Sequence, residues 1–418
     1  MVSDYLLTNL SQVQDITGEL ESMNIPRTLR LLLVALVLVC SSVPAAQAQD
    51  APNADRNVFL PFVTADTSGD SELGGLVTAK SISPAEQKAA LDFWTHEALA
   101  AAQPLEMPSP LGAVEVDAAA LAEPEASGPP IFVAAGAAAP DADKVAQAAY
   151  PSDWAALADE AGATVDAAEA FAPDGTSQVY TSYVVNQVAG VQTLYPHRWI
   201  GRISFSTPSG TSYCSGTSIR GNVMLTAAHC LYDSVNNRWY SNWAFTPAYR
   251  NGNAPYGTFA ATRCWVMTSW INLSGSYSIN TWAPHDVGVC KMGNNSAGVT
   301  LNGAVGSMGY QANQAYIRHL HSLGYPFRNY NDTLLTNAGL YLRTCVAESF
   351  QQAAEVRGMG CNLSRGSSGG PWMTGYALGV VSGTAHSVNS GFSVGTQNTY
   401  GGRFNSNNIV PLCSSAGC

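Results

Sequence analysis

This 418-residue chain is poor in charge: Asp, Glu, Lys and Arg together make up 12% of it. It contains no C-x-x-C pair and no H-E-x-x-H, and His319-x-His321 stands alone among polar residues, so a metal site is not expected. No nucleic-acid-binding motif accompanies its arginines, which are scattered singly (Arg220, Arg238, Arg250, Arg263, Arg318), and nucleic acid is excluded as a partner. The apolar run at 31–40 is about half the roughly 20 residues that a membrane span needs, so no stable membrane anchor is expected. Val39 is bulky where a lipid-modified cysteine at Cys40 calls for a small neighbour. Nothing in the sequence asks for a cofactor.

What charge there is falls unevenly. Residues 49–196 carry 21 acidic and 4 basic side chains, whereas residues 197–418 carry 5 acidic and 13 basic. An acidic segment facing a basic domain suggests that the first holds the second inactive, or assists its folding, by charge complementarity. Cysteine is equally one-sided: apart from Cys40, all eight (Cys214, Cys230, Cys264, Cys290, Cys345, Cys361, Cys413, Cys418) lie in the last 205 residues. An even number suits four disulfides in an oxidising compartment, and 105 pairings remain open.

Arg27 and Arg30, then the apolar run, then Ala46-Gln47-Ala48 read as an export signal beginning at Met23, so residues 1–48 are expected to be leader and signal and the protein to be secreted and extracellular. Residues 49–190, rich in Ala, Asp and Glu, read as an acidic propeptide, partly helical or disordered. A capped helix start is expected at Pro151-Ser152-Asp153-Trp154, and a mobile linker at 114–139. From 191 to 418, short β-prone runs bounded by Gly, Asn and Ser, without a long 3.6-residue stripe, point to an all-β barrel domain built from hairpins.

Three short strings carry chemistry. Gly366-Ser367-Ser368-Gly369-Gly370-Pro371 places a serine in a turn whose glycines keep Cβ atoms away from a substrate, with the N–H groups of Gly366 and Ser368 free to converge on an oxyanion. Leu225-Thr226-Ala227-Ala228-His229-Cys230 sets a histidine after an apolar strand, and a disulfide from Cys214, sixteen residues upstream, would fix its backbone. A third group must hold the histidine's tautomer. From residue 197 onward the aspartates are Asp233, Asp286 and Asp332. Asp286 leads into an apolar strand, as a buried orienting carboxylate should; the other two read as solvated turn residues.

In that order and spacing, 57 and then 82 residues apart, the three strings resemble the chymotrypsin-like serine peptidases, near the bacterial secreted branch that includes the glutamyl endopeptidases. The resemblance covers about 220 C-terminal residues. It implies two packed six-stranded antiparallel β-barrels, His229 as base, Asp286 as orienter, Ser368 as nucleophile, and the amides of Gly366 and Ser368 as oxyanion hole. Val381-Ser382-Gly383-Thr384 resembles the edge segment that pairs with substrate, giving Ser382, Gly383 and Thr384 as binding residues, with Asn362 near the primary pocket. His386 is a further candidate for a substrate carboxylate. Ser367 stands where animal members place an aspartate, so their activation switch is absent. The expected protein is thus a monomeric secreted endopeptidase made as a precursor, acting on proteins or peptides and bound by its own propeptide. The competing expectation is a catalytically silent binding protein on the same fold.

Overall fold

Runs such as Ile203-Ser204-Phe205-Ser206 alternate large apolar and small side chains and end in turns that ask for left-handed backbone, so they fold as antiparallel hairpins. The turn after Ile219 shows the principle: Gly221 and Asn222 sit at φ 76° and 58°, a region that glycine and asparagine tolerate. The computed structural model describes residues 69–106, 128–143, 169–171, 179–273, 278–329, 333–393 and 396–418. The expected signal at 23–48 and the helix start at Pro151 lie outside them.

Six strands make a closed antiparallel barrel in the order Ile200–Thr207, Gly210–Ile219, Val223–Thr226, Gly288–Met292, Phe259–Met267 and Ser241–Pro247, with the last returning to the first. Ile203, Phe205, Val223, Leu225, Phe245 and Val289 fill it, all fully buried, and each such side chain contributes about 1.5–3 kcal/mol of burial free energy. The second barrel departs from the expected form. Its strands run Gly391–Ser393, Asn398–Gly402, Val356–Gly360, Arg343–Ala353, His319–Gly324, Pro371–Thr374, Thr384–Val388 and Gly309–Ala312, and the last two are parallel. Gly309–Ala312 is taken on its other side by Ile131–Val133, so this sheet curls into a barrel-like form that ends on the N-terminal segment rather than on itself.

That segment is also more ordered than its composition suggests. Val77–Ser81 adds to the first barrel, antiparallel to Phe259–Met267, and inserts the fully buried Val77 and Ala79. The helix Pro84–Phe93 follows, started by proline in the first turn and by a capping box in which Ser83 and Glu86 satisfy each other's amides. Trp94 and Leu99 are buried, and the Trp94 indole donates to the Asn242 carbonyl at 2.7 Å. Residues 131–133, expected within a mobile linker, are instead a paired strand, because Gly309–Ala312 offers them a free edge.

The C-terminal barrel also reaches back past the expected boundary at 190. Tyr180–Val184 pairs with Arg343–Ala353, and Tyr180 packs with Cys345, Trp372 and Leu320. The chain closes on the helix Ile409–Ala416, which stops at left-handed Gly417 beside the Cys413–Cys418 bridge.

Candidate active site

Neighbouring strands of the first barrel bring the histidine and the aspartate together. Val223–Thr226 pairs with Gly288–Met292, Thr226 opposite Gly288, so the chain just after one strand lies beside the chain just before the other. Ala227 and Ala228, both fully buried, allow a tight turn at Ala228–Cys230, and the Cys214–Cys230 disulfide anchors it to the adjacent strand. Asp286 is fully buried and accepts three hydrogen bonds: from the His229 backbone N–H to Oδ1 (2.8 Å), from His229 Nδ1 to Oδ2 (2.7 Å), and from the Ser390 hydroxyl to Oδ2. A carboxylate bonded to Nδ1 keeps the proton on that nitrogen and leaves the Nε2 lone pair as base.

The turn that bears Ser368 belongs to the second barrel but is clamped to the first. Ser215 N–H donates to the Ser368 carbonyl (2.7 Å), and Ser215 Oγ donates to the Gly366 carbonyl (2.8 Å). Gly369 N–H donates to the Asn389 carbonyl (2.7 Å), and Ser367 is tied to the Ser364 carbonyl through both its N–H and its hydroxyl. Gly369 has φ +80°, and a Cβ there would lie 2.1 Å from Thr226 Oγ1 and 2.7 Å from the Ala227 nitrogen. Glycine is therefore required by contact with the residues leading to His229. The N–H groups of Gly366 and Ser368 find no acceptor among the described residues.

One link is not made. Ser368 Oγ and His229 Nε2 are both buried, and neither has a hydrogen-bond partner among the described residues. The structure joins His229 to Asp286 and carries Ser368 to the same junction of the barrels without bonding its hydroxyl to the imidazole. Asp233 behaves as expected of a turn residue, pairing with Arg238 and Asn236; Asp332 lies outside the described residues.

The sequence-based specificity residues do not gather here. Ser382 donates to the Gly375 carbonyl in a hairpin turn, Gly383 follows it at φ +125°, and Thr384 bonds to Thr374 and Gln311; none of the three hydrogen-bonds to His229, Asp286 or Ser368. The Ser-Gly pair that reaches the site is Ser390-Gly391, through the Ser390 hydroxyl on Asp286, and it leads directly into the edge strand Gly391–Ser393. Asn362 is buried, its amide against Sγ of Cys345 in the Cys345–Cys361 bridge. His386 is fully buried with Nε2 on the Thr374 hydroxyl (2.9 Å); burial, then Arg357 and Arg318, push its pKa down to about 3. It stays neutral inside the barrel and meets no substrate carboxylate.

The remaining bridge, Cys264–Cys290, joins directly opposed residues of two barrel strands. Among the described residues, the one close cluster of three metal-type ligands is Cys214, His229 and Cys230, and both sulfurs in it are consumed by the disulfide.

A family model described as Trypsin matches residues 188–401. The chain is 31% identical over 85 residues to a glutamyl endopeptidase of Bacillus licheniformis, covering 20% of this chain and 26% of that protein. It is also 31% identical over 80 residues to an extracellular metalloprotease of Bacillus subtilis, covering 19% and 25%. The chain thus spans about a quarter of the length of these curated relatives. Among solved structures, the protease Anisep from Arthrobacter nicotinovorans aligns at 30% identity over 52% of this chain and 95% of that one, with a TM-score of 0.44.

Proposed function

The chain belongs to the trypsin family, whose match covers just over half of it, and from that premise we propose that it is a serine endopeptidase with His229, Asp286 and Ser368 as its catalytic groups. The observation that carries this reading is the buried His229–Asp286 pair, bonded at 2.7 Å and leaving Nε2 without a partner among the described residues. His229 takes the Ser368 proton as Oγ attacks a peptide carbonyl, and Asp286 stabilises the imidazolium. The Gly366 and Ser368 amides hold the oxyanion. His229 then protonates the departing amine, and water, activated by the same imidazole, releases the acyl group from Ser368.

Glutamate preference at the residue before the scissile bond is not part of the proposal: the resemblance to the glutamyl endopeptidases would place a histidine just before the Ser-Gly edge segment, and none stands there. The residue preceding Ser390 is Asn389, whose side chain is held inside by Ser322, Trp372, the Leu323 carbonyl and the Ser367 carbonyl. Secretion as a precursor is part of the proposal, supported by the export signal read at 23–48 and by four disulfides. So is a mature chain that starts before Tyr180, since that strand belongs to the second barrel's sheet.

The test is labelling with a fluorophosphonate together with casein hydrolysis. Ser368→Ala should abolish labelling and lower turnover by on the order of 10⁶-fold. Folded wild-type protein that neither labels nor cleaves would support the silent binding protein instead.

A further inference from the structure

We propose that Arg365 is a specificity-determining residue that receives an acidic side chain on the leaving-group side of the scissile bond, and that Glu106 occupies its subsite from within the chain. The inference rests on the peptidase reading above. Arg365 immediately precedes Gly366, and its backbone is pinned by the Phe327 N–H, 2.7 Å from the Arg365 carbonyl. Its guanidinium is partly open, and Nε lies 2.9 Å from Glu106 Oε2.

The Glu106 side chain is itself mostly exposed (73%), so the ion pair is not what holds the segment there. Strand addition is. Gln103 and Pro104 pair with Ser212 and Tyr213, the Leu105 N–H donates to the Tyr213 carbonyl at 2.9 Å, and Arg202 reaches the Ala102 carbonyl. An extended peptide on a sheet edge is how proteins of many kinds bind a chain by its backbone while reading its side chains.

This edge adjoins the chemistry on two sides. The Tyr213 hydroxyl would lie 2.7 Å from a Cβ placed on Gly366, and the next residue, Cys214, is bridged to Cys230 beside His229. In the proposed mechanism His229 hands its proton to the departing amine, so the departing part of the substrate lies on the side of His229 and its disulfide. The 103–106 segment follows that same edge, and Glu106 is its first acid. Its carboxylate therefore stands in for a substrate Asp or Glu one to three residues beyond the cut, and the segment must vacate the edge before such a substrate binds.

The experiment uses the full-length chain, after any processing it performs, with three quenched fluorescent peptides differing only in Glu, Gln or Lys at the positions following the cut. Wild type should favour Glu over Gln in kcat/KM by roughly two- to fivefold, the range of a rim ion pair. Arg365→Gln should erase that ratio, and Arg365→Glu should shift it toward Lys; fluorophosphonate labelling of each variant reports that it is folded. Should either fail to label, Arg365→Lys, which keeps the charge without the planar fork, should give an intermediate ratio. Equal rates in wild type, or a Glu preference that survives Arg365→Gln, would overturn the inference while leaving the peptidase reading intact. A chain that cuts none of the peptides and does not label overturns both.

Discussion

The two barrels are built to different standards of closure. On the first barrel's side, six strands complete a ring, a disulfide ties the histidine turn to a neighbouring strand, and Asp286 has all its partners in place. On the second barrel's side, the sheet passes through a parallel pair to the N-terminal segment, and the turn that bears Ser368 is held by backbone bonds together with the Ser215 and Ser367 hydroxyls, while the Ser368 hydroxyl has no partner among the described residues. The His229–Asp286 pair is thus preorganised by the first barrel, with one bond, from Ser390, supplied by the second. The nucleophile is positioned by how the second barrel meets the first, through Ser215 and Thr226, so errors in that contact should cost activity before they cost the fold.

The comparison can be broken most forcefully at Asp286. Asp286→Asn should lower kcat by about 10⁴-fold, because the amide no longer fixes the histidine tautomer, while unfolding midpoints change little. Steady-state kinetics and a urea melt on the same preparation check it. Next in size is Gly369→Ala, which sets a Cβ against Thr226 and the Ala227 backbone at φ +80°; it should destabilise the domain by about 2–4 kcal/mol and reduce labelling of Ser368. If that variant keeps full activity, the contact between barrels does not position the nucleophile.

A third measurement addresses the second barrel by pH. His386 is held neutral, its pKa pushed to about 3, so the unfolded chain binds more protons wherever pH lies between that value and the ordinary histidine range. Its contribution is fully present above that range and is lost as pH falls toward 3. His386→Gln should flatten stability over pH 4 to 6.5 by up to about 1.4 kcal/mol per pH unit, read from urea unfolding at several pH values. An unchanged slope would place the acid sensitivity elsewhere.

The smallest effects concern how the acidic N-terminal segment sits on the first barrel. The expectation of charge complementarity has a structural basis in Glu72 on Arg263, Asp143 on Arg198 and Glu106 on Arg365. Pairs of this kind, all at least partly open to solvent, contribute about 0–1 kcal/mol each, whereas burying Val77, Ala79, Trp94 and Leu99 contributes more. Arg263→Ala should therefore weaken the full-length chain by less than about 1 kcal/mol, and Val77→Asp by more than about 2 kcal/mol. A larger loss for Arg263→Ala, or strong salt dependence of the melt, would return the leading role to charge.

The local structure of the strings proposed to carry the chemistry was legible because each is compact: the glycines around Ser368 and the alanines before His229 answer local steric demands. Ser390 was not. The sequence holds two Ser-Gly pairs after the nucleophile, and only the pairing of Gly391–Ser393 with Asn398–Gly402 brings the later one to Asp286. Cys264–Cys290 was hidden for the same reason, since the opposition of those residues depends on cross-strand register. The strands of the N-terminal segment were not legible because five residues such as Val77–Ser81 hold too little periodicity to announce a strand; the partner edge, far along the chain, makes them one.

The strand Tyr180–Val184 bears on how the enzyme is to be made. It covers one side of Arg343–Ala353, so a recombinant domain begun at residue 191 would leave a row of unsatisfied amides and carbonyls along that strand. Such a bare margin invites pairing between molecules, and the shortened protein is expected to come out of expression as insoluble aggregate where one begun at 179 or earlier stays dispersed.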